Sequence, residues 1–113
     1  MALKRMLLEI GMGNVLHGGD YTKAAVRAVQ DAVHHSSMTM VRALGIEYKD
    51  VVVEVTVGVQ QPDKVDAKAV ADSLPGGKVT VKAVPGGLDI HDDDRDDLAV
   101  IASAAIVVRM DIP

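Results

Sequence analysis

One stretch near the start of the chain, residues 11–20, combines residue types that could do chemistry. It holds four of the chain's ten glycines and one of its four histidines. Glycine allows positive φ and close approach of the backbone to a ligand, and an imidazole serves as acid, base or ligand near neutral pH. We predict a backbone-lined pocket in which Gly11, Gly13 and Gly18 bind a ligand and His17 is the catalytic acid/base group. The alternative is a glycine-rich turn that only reverses the chain.

Classical nucleotide binding is not expected in this stretch, although it lies between a strand and a helix. The dinucleotide fingerprint needs a third glycine where this chain has Leu16, and the Gly-Lys-Ser/Thr of a P-loop is missing. Asp20, at the start of the helix, would repel a phosphate from the site where helices bind anions.

Polar residues that interrupt apolar strands are further candidates: Glu9, Glu54, Thr56, Ser103 and Arg109. A buried charge is costly unless it is paired, so we predict that Glu9 or Glu54 pairs with Arg109. That pair is either structural, at an oligomer seam, or part of one ligand pocket with the His17 loop. In the second case Ser103 and Glu54 are catalytic candidates beside His17, and a nucleophilic serine needs a base nearby.

The other histidines and the acidic run favour structural roles. His34 and His35 are adjacent, so on one helix they cannot chelate the same ion, and we expect them at a helix C-terminus, where the dipole favours them. Asp92, Asp94 and Asp96 have the alternating spacing of a calcium-binding loop. Asp97 stands where the glycine is expected, and the distant glutamate is missing. We expect a solvated acidic turn, and neither a metal nor another cofactor.

Apolar periodicity predicts an α+β fold in one domain, residues 1–113. A strand at Met6–Ile10 precedes a helix that Asp20 caps, and a second helical piece at Met38–Leu44 ends at Gly45. The remaining predicted elements are a valine-rich strand at Asp50–Val59, a helix from the Asp66 cap to about Leu74, and strands at Lys78–Val84 and Leu98–Met110. The predicted order is β-α-β-α-β-β, a single layer of two helices on a four-stranded sheet.

This architecture predicts self-association. Two helices cover one face of a sheet, but the second and last strands are apolar on both faces. We therefore expect a homo-oligomer, with cyclic symmetry, that packs through the sheet.

Composition restricts the partners and the compartment. Net charge is −4 and there are only two aromatic residues, which argues against nucleic acid and an anionic membrane surface as partners. There are no cysteines, so disulfides and thiol chemistry are excluded. With no apolar run of about 18 residues and no signal-peptide pattern, we expect a cytoplasmic protein that binds a small molecule.

Two family resemblances follow from these motifs. The pattern Gly11-x-Gly13-x-x-x-His17-Gly18 resembles the signature of a conserved hypothetical family of small bacterial and plant proteins, over the whole chain. More distantly, residues 22–29, 50–65 and 98–105 resemble one repeat of the ring-opening amidohydrolases, the cyanuric acid hydrolase and barbiturase family.

The second resemblance implies a function and an assembly. Ser103 matches the serine nucleophile of those enzymes, which arrange three repeats around a pseudo-threefold axis. It therefore implies hydrolysis of a small cyclic amide by a trimer of chains. The family's strand-two lysine would fall near residues 56–58, where this chain has none. A non-catalytic metabolite- or metal-binding module and a purely structural oligomer remain alternatives.

Overall fold

The structure is a computed structural model that describes residues 3–34, 45, 50–74 and 77–111. Within these residues, five strands and two α-helices follow one another. The strands are β1 (Leu3–Val15), β2 (Val52–Val59), β3 (Lys78–Pro85), β4 (Leu88–Asp92) and β5 (Asp97–Asp111), and the helices are α1 (Tyr21–His34) and α2 (Ala67–Asp72). The predicted piece at Met38–Leu44, like His35, lies outside the described residues.

The long strand β5 is the centre of the sheet. β1 pairs with it antiparallel along one side, from Val15 opposite Val100 to Leu3 opposite Asp111. On the other side β2 pairs antiparallel with residues 103–109 and β4 with residues 97–101, so β4 continues in line with β2. β3 lies parallel to β2 at the sheet edge.

The prediction of four strands was wrong, because β4 was not recognised. Its sequence, LDIHD, is short and runs directly into acidic residues, so it lacks the periodicity that marks a strand. β5 extends beyond the end of β2, and β4 forms a strand by pairing with this extension. The prediction of two helices on one layer of sheet is confirmed.

The first strand is also longer than predicted. β1 continues through Gly11 and Gly13 to Val15, and both glycines pair in register with alanines of β5. The loop is therefore confined to residues 16–20. Asp20 caps α1 as predicted, because its Oδ1 accepts the Lys23 N–H at 3.0 Å. Asp66 caps α2 through the Ala69 N–H at 3.2 Å.

One face of the sheet carries the core. The side chains at 53, 55, 57 and 59 of β2 and at the even positions 100–110 of β5 are buried, and they share the face of the sheet on which α1 packs. The helix contributes small buried residues, Ala24, Ala25, Ala28 and Ala32. A helix with this surface lies close to the sheet, and valine is the most frequent of the buried apolar residues in the described chain.

The opposite face, which we call the open face, carries no helix among the described residues. Register places on it the odd positions of β5, the even positions 8–14 of β1 and, before the register shift between Arg5 and Leu7, the odd positions 3 and 5 of β1. It holds all seven of the large apolar side chains that are exposed in the described chain: Leu3, Leu8, Ile10, Met12, Leu16, Leu88 and Ile90. Monomeric proteins rarely expose so much contiguous apolar surface. The predicted two-faced apolar sheet is therefore present, and its self-association stays a prediction.

Candidate functional site

His17 lies in the loop between β1 and α1, where it meets the first residue of β5. Its Nδ1 is 2.8 Å from Asp97 Oδ2, and the Gly18 N–H donates to Asp97 Oδ1 at 2.8 Å. Gly18 reaches this position with φ of +89°, a conformation that favours glycine. The Gly19 N–H also donates to the Leu98 carbonyl at 3.0 Å. The loop is therefore fastened to the start of β5 at three points.

The Asp97 carboxylate is held in its charged form by these donors. The Gly18 N–H contributes most, followed by the His17 imidazole and the Leu98 N–H, and together they lower the pKa of Asp97 from 3.8 to about 2. Hydrogen bonds to the charged form lower a carboxyl pKa in this way.

The loop is expected to loosen in acid. Because the pKa of Asp97 is lowered on folding, its contribution to stability is complete above about pH 4 and is lost as the pH falls through the folded-state value of about 2. Hydrogen-exchange protection of the Gly18 amide should therefore fall over this interval, as measured by NMR. The Asp97→Asn variant should lack this dependence. An unchanged wild-type profile between pH 4 and pH 2 would contradict the assignment.

Asp97 also determines which imidazole nitrogen is available. A carboxylate only accepts, so Nδ1 is the donor in this contact, and in the neutral imidazole Nε2 then carries the lone pair. No described residue hydrogen-bonds Nε2, and the imidazole is 80% exposed. His17 lines a depression of about 300 Å³ together with Leu16, Ile90, Asp92, Asp97 and Ala99. A histidine whose free nitrogen faces such a depression can accept a proton, attack a carbonyl or ligate a metal.

The predicted ligand-binding glycines divide into two groups. Gly18 belongs to the His17 loop, but Gly11 and Gly13 are buried within β1 under α1. A Cβ at Gly13 would lie 2.2 Å from the Ala28 nitrogen, and one at Gly11 would lie 2.3 Å from the Ala32 nitrogen. The structure therefore gives Gly11 and Gly13 a packing role, and neither lies in the His17 loop or lines the His17 depression.

The three predicted catalytic residues do not meet within one chain. Ser103 lies six positions along β5 from Asp97, and Glu54 pairs opposite Val107. At about 3.3 Å per residue these positions are ~20 Å and ~33 Å from the His17 end of β5. Ser103 lines a second depression, of about 330 Å³, on the open face. A shared pocket with His17 would require another chain.

Arg109 pairs with Glu54, one of the two predicted partners. Its Nε donates to Glu54 Oε1 across neighbouring strands, and both side chains are partly exposed on the open face. Glu9 lies opposite Ile106 on the helix-covered face, so it is separated from Arg109 by the sheet. The lysine sought near residues 56–58 is absent from β2, but register places Lys82 of β3 beside Thr56.

The acidic run forms the turn of the β4–β5 hairpin. His91 bridges Asp93 at 2.8 Å and Asp96 at 3.1 Å through its two ring nitrogens, and these hydrogen bonds raise the pKa of His91. The Asp94 N–H donates to Asp92 Oδ1, a local turn contact. Across the described residues, no group of three or more acidic or histidine side chains could hold a metal ion.

Sequence reasoning missed two partners that are distant in the chain. Asp97 was assigned only to the acidic run, although it is the partner of His17, 80 positions away. The buried Tyr21 hydroxyl donates to Asp89 and accepts from Gln61 Nε2. Burial and then Asp89 raise the pKa of Tyr21. No local pattern connects these residues, because β4 brings Asp89 to the start of α1.

Fold and site together define a helix-on-sheet protein with an apolar sheet face that no described helix covers and a histidine–aspartate pair at one end of it. The chain belongs to a family of conserved hypothetical proteins, Lin0512, whose model matches residues 5–108. It is similar to the solved structure of an FtsZ-like protein of unknown function from Nostoc punctiforme, with 32% identity, 99% of each chain covered and a TM-score of 0.85.

These comparisons confirm the predicted membership of a conserved hypothetical family. A search of curated proteins found no match. The more distant resemblance to ring-opening amidohydrolases stays a prediction. In the described part of the chain, no helix is long and apolar enough to cross a membrane.

Proposed function

We propose that the protein is a homo-oligomeric small-molecule-binding protein in which His17, oriented by Asp97, is the acid/base group of a pocket closed by a neighbouring chain. One observation carries the proposal. The carboxylate fixes the Nδ1 side of the imidazole, and Nε2 is left for a ligand beside a depression on the open face. The exposed apolar side chains on that face favour a second chain as the cover, and the three-repeat amidohydrolases suggest a trimer.

The lining of the depression indicates a small, polar ligand. Leu16, Ile90 and Ala99 supply apolar walls, while His17 and two carboxylates supply polar groups. A ligand that brings a proton donor to Nε2 would be bound and polarised by the same contact. Hydrolytic chemistry at this site would use His17 directly or through a water, because Ser103 is distant within one chain.

The proposal is tested with p-nitrophenyl acetate as the probe. Nε2 attacks the ester carbonyl, p-nitrophenolate leaves, and water then hydrolyses the acyl-imidazole. We expect His17→Ala to lower the protein-dependent rate roughly tenfold or more, since general base and nucleophilic groups contribute at least that much. Asp97→Asn should lower the rate less, because it removes the carboxylate that orients the ring.

His91→Ala is the matched control. His91 is also exposed and also pairs with aspartates, but both of its ring nitrogens are already hydrogen-bonded. This variant should keep the wild-type rate. Equal rates for His17→Ala and the wild type would reject the acid/base role and leave the two alternatives, a non-catalytic binding module and a purely structural oligomer.

A further inference from the structure

The second depression on the open face is built differently from the His17 depression. Its walls are apolar residues of β1, β3 and β5: Leu8, Ile10, Val84, Pro85, Ala104 and Ala105. Its polar groups are the hydroxyls of Thr56 and Ser103, and no ionisable side chain lines it. Its volume of about 330 Å³ is at the lower end of the range for small-molecule pockets.

Glycine shapes one wall of this depression. Gly58 pairs with Ser103 in register, and a Cβ at Gly58 would lie 2.8 Å from Ser103 Oγ and 3.3 Å from the Gly86 Cα. The serine hydroxyl therefore lies over bare backbone, where residues 86–87, which follow β3, pass the end of β2 towards β5. Because Gly58 carries no side chain, a planar group can approach this backbone closely.

Neither hydroxyl has a hydrogen-bond partner among the described residues. Thr56 lies opposite Ala105 and Ser103 opposite Gly58, so the two side chains are diagonal neighbours on adjacent strands. Each hydroxyl can donate and accept. A polar group that is covered without a partner is costly, so a group that covers this pair must bring both a donor and an acceptor, as a ligand with such an edge would.

We propose that the Ser103 depression is a second binding site, separate from the His17 site, for an uncharged small molecule with a planar apolar body and one edge that both donates and accepts hydrogen bonds. The walls favour the apolar body, and the two hydroxyls bind the polar edge. An anionic ligand is disfavoured, because its charge would enter an apolar lining. Lys82, beside Thr56 in register, is exposed and does not line the depression.

Two isosteric probes separate these ligand classes. Benzamide has a planar ring and an edge with donor and acceptor, and benzoate differs from it in charge. In amide NMR titrations of the full chain, benzamide should shift the resonances of Thr56, Gly58 and residues 103–105. Benzoate should bind at least tenfold more weakly. Equal or tighter binding of benzoate would overturn the proposal, as would benzamide shifts centred on His17.

The chain offers a matched pair of filling variants. Ala105 lines the Ser103 depression and Ala99 lines the His17 depression, and both are half-buried alanines of β5 on the open face. Ala105→Leu should weaken benzamide binding at least tenfold, and Ala99→Leu should leave it within twofold. Ser103→Ala removes only the hydroxyl and should weaken binding roughly three- to tenfold. It therefore tests the site even if Ala105→Leu does not fold.

The same variants keep this proposal distinct from the proposed function. Ala99→Leu should reduce hydrolysis of p-nitrophenyl acetate and leave benzamide binding intact. Ala105→Leu should leave hydrolysis intact and weaken benzamide binding. Loss of hydrolysis in His17→Ala with no benzamide binding by the wild type would overturn the second site alone. Benzamide binding that survives both Ala105→Leu and Ser103→Ala would also overturn it.

Discussion

Replacing Gly13 with alanine is expected to lower the free energy of unfolding by about 3 kcal/mol or more, at the upper end of overpacking effects. The added Cβ would lie 2.2 Å from the Ala28 nitrogen and 2.6 Å from the Ala24 carbonyl oxygen. Both are backbone atoms of α1, so no side chain can rotate away to relieve the clash. The whole helix would have to move off the sheet, and the buried alanines on its inner face would lose their contacts with the sheet.

Thermal unfolding at a fixed protein concentration measures this effect. For a chain of this size the melting temperature should fall by roughly 10–20 °C. The control is Asn14→Ala, because Asn14 is the next residue in β1 and its side chain is exposed on the open face. This variant should change the melting temperature by only a few degrees. A Gly13→Ala protein as stable as the control would show that α1 does not pack on Gly13 as described.

The valine-rich strands were predictable because their pattern is local. Alternating valines located β2 to within two residues, and the apolar run from 98 to 110 located β5. Side chains that alternate between two faces of a sheet impose this period on the sequence. The start of α1 followed from the Asp20 cap and a regular stripe of small residues. The sheet face left bare was predicted from the same strands.

The structural role of the glycines near the start of the chain was ambiguous in the sequence. A glycine pair in a strand reads as a loop, but Gly11 and Gly13 are needed because a helix of alanines lies directly on them. Only the close approach of α1 distinguishes a packing glycine from a loop glycine, and that approach is a tertiary property. The same local evidence made the His17 loop look longer than it is.

The composition of the site was harder to predict than its position. His17 was identified as the central residue, but its partner Asp97 stands in a run of five aspartates and one arginine with nothing to single it out. The pairing depends on β1 ending where β5 begins, which no local pattern encodes. Ser103 and Glu54 were joined to His17 because all three interrupt apolar sequence, but the antiparallel register spreads them along β5.

Replacing Ile10 with glutamate is expected to dissociate the oligomer. Ile10 is 66% exposed in the single chain, near the middle of the apolar part of the open face. A glutamate there stays in water in the monomer, so the fold should survive. In an assembly that covers this face the charge would be buried without a partner, which costs about 3–5 kcal/mol and should raise the dissociation constant by roughly 100- to 1,000-fold or more.

Sedimentation velocity at micromolar concentration tests this directly. The wild type should sediment as a multiple of the 11.9 kDa chain, and Ile10→Glu as the single chain. Ala67→Glu is the matched control, because it adds the same charge to an exposed position in α2 on the helix-covered side, and it should remain oligomeric. If Ile10→Glu keeps the wild-type mass, the open face is not the contact between chains. If the wild type is already a single chain, His17 lies in an open depression, and no neighbouring chain closes its pocket.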